Sequence, residues 1–257
     1  MAIDYDVQSG IALITINRPE KRNSLTLAMY DQLADSFKRA AADPKVGVCI
    51  LTGAGDKAFC VGADLTESIP HLAKGHLISE WNDTHLKNTP MFKPIIGAVN
   101  GLCMGGGLEL LLGTDIRVAV ADAKFSFPEV GIGAVPAGGS LVRLVRQISF
   151  CRTMELILTG KTVSAQQALD YQILNDVVAS DDLMKTAYQY AEQILSKSAT
   201  AVQVAKESIL KMMSIPMETA FHEEALWGAR AFESEDTKEG LQAFYSKRKP
   251  VFPSKKW

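Results

Sequence analysis

The sequence predicts an α/β protein, and two features of its layout carry that prediction. In the first half, short apolar runs rich in Val and Ile alternate with helical periodicity; in the second half, helical periodicity stands almost alone. The runs 11–16, 46–51, 95–99 and 116–120 read as strands. Several of them are apolar on both faces, as expected of parallel strands covered on each side. Between them, one helix is predicted over 26–42, where Tyr30, Leu33 and Phe37 make a stripe and Asp43-Pro44 stops it, and a second over much of 66–87. Beyond residue 140 only 175–179 reads as a strand, and helices are predicted over 183–195, 199–213, 218–233 and 237–245. The division this suggests is a core domain over 1–195 and a helical C-terminal region over 196–257.

Composition narrows the function. With 47% hydrophobic residues in 257, the chain can build one large core, and a net charge of -2 offers no basic field for nucleic acid or an anionic membrane. No run reaches the ~18 apolar residues of a membrane span. Cys49, Cys60, Cys103 and Cys151 are scattered, without disulfide density or zinc-site spacing, so reduced, buried thiols are expected. The opening residues, with Asp4 and Asp6, do not read as a targeting leader, and a cytoplasmic protein is expected. His71, His76, His85 and His222 fall in helical patterns without metal-ligand neighbours; surface or packing roles are expected, and no metal.

The densest chemical signal is 100–110, Asn-Gly-Leu-Cys-Met-Gly-Gly-Gly-Leu-Glu-Leu, a strand end followed by three glycines and a helical run. Such glycines expose backbone N–H groups to a ligand, although they also permit plain helix–strand packing. The spacing is not a dinucleotide fingerprint. Glu109 stands in an otherwise apolar stretch, where a carboxylate is costly without a partner or a purpose. A second isolated acid, Glu129, follows Phe127-Pro128. Two carboxyls in apolar surroundings suit acid–base work near neutral pH, because desolvation raises their pKa. A further glycine turn, 59–65, could supply another exposed N–H, and two donors aimed at one oxygen make an oxyanion hole. Ser24 and Ser140 have no neighbouring base of the nucleophile-elbow kind.

Together these segments resemble the enoyl-CoA hydratase/isomerase superfamily, the crotonases, over essentially the full chain. The carrying motifs are 17–25 (Asn-Arg-Pro-Glu-Lys-Arg-Asn-Ser-Leu), 59–64, 100–109, and the tail from Glu233 through Glu239-Gly240, Phe244 and Lys247-Arg248. The resemblance implies a spiral of strand-strand-helix repeats with a helical C-terminal trimerisation region, and a homotrimer or a homohexamer of paired trimers. It implies that the N–H groups of Ala63 and Gly106 hold a thioester oxygen and that Glu109 and Glu129 are the catalytic acids. The implied reaction is syn addition of water to a 2-trans-enoyl-CoA through a thioester enolate. Lys21, Arg22, Ala63, Asp64, Leu65, Thr66 and Gly106 would line the acyl-CoA site, and Phe244 with Lys247 would reach the CoA of an adjacent subunit. No separate cofactor is implied, since coenzyme A is part of the substrate.

Two departures bear on the acyl group. The loop 135–140, Val-Pro-Ala-Gly-Gly-Ser, is one residue shorter than the form typical of fatty-acid hydratases, and Thr66 stands where a CoA-binding Lys is frequent. Alternatives left open are a specialised relative, such as a carnitinyl-CoA dehydratase or an enoyl-CoA isomerase, and a non-catalytic CoA- or RNA-binding member.

Overall fold

In the computed structural model, which describes residues 2–257, the chain starts as a hairpin. Strands β1 (Ile3–Gln8) and β2 (Ile11–Ile16) pair antiparallel about Ser9-Gly10. Both turn residues have positive φ, 51° and 83°, the geometry whose twist matches that of the flanking strands. Helix α1 (Leu27–Ala42) follows, with the Thr26 hydroxyl accepting the Met29 N–H as its cap and Tyr30, Leu33 and Phe37 on its buried face.

Three strand–strand units then wind up in succession: β3 (Val48–Gly53) with β4 (Ala58–Cys60), β5 (Ile95–Val99) with β6 (Leu102–Met104), and β7 (Ile116–Val120) with β8 (Lys124–Ser126). Helix α2 (Ser68–Ala73) follows the first unit and α3 (Gly106–Leu111) the second. The first strand of each unit joins a six-stranded sheet, β1-β2-β3-β5-β7-β10, in which every pairing after the hairpin is parallel. The second strand joins a four-stranded sheet, β4-β6-β8-β9, with β9 (Val163–Ser164) and β10 (Asp176–Val178) supplied from further along. The result is the expected spiral. Every residue of β3 and β5 is buried, which is why these runs carry no polar alternation.

The remainder is helical: α4 (Ser140–Gln147), α5 (Phe150–Thr159), α6 (Ala165–Asp170), α7 (Leu183–Leu195), α8 (Ala199–Met212), α9 (Met217–Phe232) and α10 (Glu235–Tyr245). Helix α7 buries Leu183, Ala187 and Ala191, whereas α9 buries no residue fully and exposes Met217, Phe221, Leu226 and Phe232. No helix among the described residues is long and apolar enough to cross a membrane.

Two expectations need correction. The stretch 66–87 is not one helix but the six-residue α2 and a 3-10 turn, Ile78–Trp81, because Gly75 takes φ +96° between them and no regular hydrogen-bond ladder spans it. Of the four cysteines, Cys49, Cys60 and Cys103 are buried but Cys151 is exposed on α5. Burial pushes the Cys49 and Cys60 thiols up to about 12, so they behave as small apolar groups.

Two buried asparagines fix the loops between the sheets. Asn23 donates to the carbonyls of Ala54 and Ala58 while its Oδ1 accepts the Arg18 N–H. Asn100 donates to the carbonyls of Gly53 and Gly55 and accepts from the Gly53 N–H. Asn100→Ala strands these groups and is expected to cost about 1–3 kcal/mol, seen as a lower urea midpoint at unchanged m-value.

Candidate active site

The glycine turn after β4 and the one after β6 lie against each other. A Cβ on Gly62 would fall 2.8 Å from the Gly106 nitrogen, and one on Gly106 would fall 3.6 Å from the Ala63 nitrogen. Gly62 also takes φ +90°, which a side chain disfavours. Leu25 straps the first turn down by donating its N–H to the Gly62 carbonyl and accepting the Asp64 N–H, which leaves the Ala63 N–H between them without a backbone acceptor among the described residues. Gly106 opens α3, so its N–H has no acceptor within the helix. Two unpaired amide donors thus border one small space.

Glu109 sits on the buried face of α3, only 3% exposed. Its Oε1 accepts the Ser140 hydroxyl at 2.8 Å, and the backbone N–H groups of Ser140 and Gly138 also point to the carboxyl. Burial nevertheless raises its pKa, outweighing these donors and the nearby Lys87 ammonium. Glu129 stands on the 3-10 turn Pro128–Ile132 that follows β8. Its carboxyl lies over Gly105, where a Cβ would fall 2.7 Å from Oε1 and where φ is +49°. Its Oε2 is buried without a hydrogen-bond partner among the described residues. Burial, with the charge of Glu109 adding, pushes this carboxyl up to about 7 against the pull of its own backbone N–H.

Tyr30 completes the centre. Its ring stacks on Trp81 at 4.0 Å with an interplanar angle of 7°, and its hydroxyl lies 3.6 Å from where a Gly106 Cβ would be. Burial, then the charges of Cys60, Glu109 and Glu129, raise the phenol pKa well above its ordinary value, so it stays a donor.

These groups open on a cleft of about 640 Å³. Ile69, Leu72, Ile78 and Trp81 wall it from the 66–87 segment, while Arg18, Lys21 and Arg22 bring positive charge to it. Of the residues expected at the site, Lys21, Arg22, Ala63, Asp64, Leu65, Thr66, Gly106, Glu109 and Glu129 all line this cleft. Phe244 and Lys247 do not; both are exposed at the end of α10, Phe244 to 77%. The Asp64 carboxylate is bound at 2.6 Å by Arg18 and at 2.6 Å by the Thr66 hydroxyl, which hold its pKa far below the usual range. Asp64 therefore fixes the turn, and Thr66 spends its hydroxyl there.

Sequence reasoning missed five residues. Arg18 lay unnoticed inside a quoted motif, Tyr30 read as part of an apolar helix stripe, Trp81 lay unnamed inside a predicted helix, and Ser140 was weighed as a nucleophile and a loop residue but not as a partner of Glu109. His85, expected at a surface or between helices, is fully buried beside Glu109. His71, His76 and Glu80 come together outside the cleft, but each imidazole already bonds its own carboxylate oxygen, at 2.8 Å and 3.1 Å.

A pair of free amides facing two desolvated carboxyls defines an enzyme site suited to holding an oxyanion while protons move beside it. A sequence profile described as enoyl-CoA hydratase/isomerase matches residues 6–255, and the chain belongs to that family. It is 36% identical to (E)-benzylidenesuccinyl-CoA hydratase of Thauera aromatica, over 98% of this chain and 99% of the relative. The short-chain-enoyl-CoA hydratase of Clostridium acetobutylicum is 34% identical over 94% of each chain. Among solved structures, an enoyl-CoA hydratase from Bacillus anthracis superposes with a TM-score of 0.94 at 35% identity, over 99% of this chain and 100% of that one.

The Glu129 environment has a thermodynamic consequence. Its folded pKa, about 7, lies above the ordinary 4.5, so between those values the folded state binds more protons than the unfolded one and stability falls as pH rises. Glu129→Gln is expected to flatten the decline in unfolding free energy between pH 4.5 and 7.5, and denaturant titrations across that range check it.

Proposed function

We propose that this enzyme is a hydro-lyase that adds water reversibly and syn across a 2-trans-enoyl-CoA to give the 3-hydroxyacyl-CoA. The observation that carries the reading is the unequal pair of buried carboxyls beside two unpaired amides. The thioester carbonyl oxygen accepts the N–H groups of Ala63 and Gly106, which stabilise the enolate oxyanion as it forms. Glu109, already given three donors, is the carboxylate that holds water and takes a proton from it as the water oxygen bonds the β-carbon. Glu129, with its Oε2 unpartnered among the described residues and a pKa near 7, is the protonated member that delivers a proton to the α-carbon as the enolate collapses. A proton passing from Glu109 to Glu129 restores the pair.

In this reading Lys21, Arg22 and Arg18 face the CoA phosphates, Ala63 to Thr66 run beside the pantetheine, and no further cofactor takes part. The protein works in the cytoplasm as a homotrimer or a homohexamer. The apolar residues left exposed on α9 support such assembly, in which Phe244 and Lys247 reach the CoA held by a neighbouring subunit. The acyl group enters against Ile69, Leu72, Ile78 and Trp81, an apolar wall that favours a hydrocarbon or aryl group over a charged one.

Mixing the protein with crotonyl-CoA is expected to bleach the enoyl-thioester absorbance. Glu109→Gln and Glu129→Gln should each lower kcat by about 10²–10⁴-fold, with CoA affinity by calorimetry changed little. Full turnover in either variant removes that residue from the assigned role and favours a one-base isomerase.

A further inference from the structure

His71, His76 and Glu80 each offer a ligand atom within 4.8 Å of the other two, outside the residues that line the cleft. The backbone brings this set together. Helix α2 carries His71, Gly75 turns the chain with φ +96°, and the 3-10 turn Ile78–Trp81 carries Glu80. A Cβ on Gly75 would meet nothing within 4 Å, so the turn and not packing asks for glycine there. The two imidazoles stack at 3.7 Å with an interplanar angle of 16°, and Nε2 of His71 and Nδ1 of His76 both face the Glu80 carboxylate. Glu80 gives one oxygen to each ring, at 2.8 and 3.1 Å.

Two imidazoles and a carboxylate are the donors that zinc and its transition-metal neighbours take, whereas calcium and magnesium prefer oxygen alone. A tetrahedral zinc with bonds of about 2.0–2.1 Å spaces its ligand atoms about 3.3 Å apart. Both nitrogen–oxygen separations are within about 0.5 Å of that, and the two nitrogens need close by at most about 1.5 Å. His71 and His76 are 23% and 48% exposed, so the rings have room to splay and an ion has a path in. The hydrogen bond from His71, helped by that from His76, lowers the Glu80 pKa, so the carboxylate is charged. Nδ1 of His71 and Nε2 of His76 bond no other described residue. Each can take the ring hydrogen while the facing nitrogen turns its lone pair to the ion.

We propose that His71, His76 and Glu80 bind one zinc-class divalent ion, with water completing its coordination, and that the ion clips α2 to the turn Ile78–Trp81. Leu72 follows His71 and Trp81 follows Glu80, and both wall the cleft. The clip therefore joins the two halves of that wall across Gly75, where no hydrogen-bond ladder does. The ion lies outside the cleft and takes no part in proton transfer.

Calorimetry with zinc chloride tests the site on the full chain carrying Cys151→Ser, which removes the exposed thiol. One ion is expected per chain, and none with magnesium chloride. His71→Ala, His76→Ala and Glu80→Gln should each weaken zinc binding by at least about tenfold, since losing a ligand costs no less than losing an outer-shell partner. His222→Ala, an exposed histidine on α9, should leave it unchanged. Absent binding, or binding that survives both His71→Ala and His76→Ala, overturns the proposal. In ¹⁵N-labelled histidine spectra, which need no loss of a ligand, zinc should move Nε2 of His71 and Nδ1 of His76 and spare His222; any other pattern overturns it. Amide exchange over 74–80 should slow at least about threefold with zinc and not in His76→Ala; unchanged exchange with zinc bound removes the clip. None of these measurements uses turnover, so their outcome stands apart from the hydratase reading.

Discussion

Everything at this site depends on parallel pairing in the small sheet. Strands β4, β6 and β8 lie side by side, with Cys60 opposite Cys103 and Met104 opposite Ser126. The segments leaving their ends are consequently neighbours. β4 delivers the Ala63 amide, β6 delivers the Gly106 amide and, one turn of α3 later, Glu109; β8 delivers Glu129. No long-range search by flexible loops is needed, because the hydrogen-bond ladder sets the order. The constraint is steric: Gly62 and Gly105 meet Gly106 and Glu129 so closely that a Cβ has no room, and Gly107 is pressed on the Cys60 carbonyl.

The same arrangement makes two identical side chains chemically different. Both glutamates lose water on burial, and that alone lifts both pKa values. Glu109 emerges inside a turn of α3 with the loop 138–140 folded over it, and receives donors from that loop. Glu129 emerges on a short 3-10 turn over Gly105, where its own backbone N–H is the donor that acts on it, and among the described residues one oxygen stays bare. The donors on Glu109 thereby pull it back towards the charged form, while Glu129 is left biased to the neutral form, an inequality that suits an acid–base pair.

Much of this was legible in the sequence because the relevant features are local. Runs buried on both faces announce β3 and β5, the stripe on α1 announces its helix, and charged residues in apolar text announce Glu109 and Glu129. Three-residue strands such as β4, β6 and β8 are too short for any periodicity, so the small sheet could not be read. The strand β1 could have been, since Ile3, Tyr5 and Val7 alternate with Asp4 and Asp6. What stayed hidden was contact across large separations: Arg18 on Asp64, Ser140 on Glu109, and His85 against Gly138. Each depends on which loop crosses which, and a single sequence does not encode that in its spacing.

In the proposed reading, the segment 66–87 separates substrate choice from catalysis in this fold. The amides and carboxyls are anchored to the ladder of the small sheet, whereas Ile69, Leu72, Ile78 and Trp81 stand on short helical pieces joined through Gly75, with no ladder to hold their register. Side chains there can change the shape of the cleft without moving a catalytic atom by way of the sheet. Trp81 is the exception, because it touches both halves. Its ring stacks on Tyr30 and its carbonyl lies 2.9 Å from His85 Nδ1. A change of acyl group that required moving Trp81 would therefore also disturb the phenol beside the Gly106 amide and the buried His85 ring. Substrate range should vary most freely at Ile69, Leu72 and Ile78, and least at Trp81, for a reason that lies in the chemistry and not in the shape of the cleft.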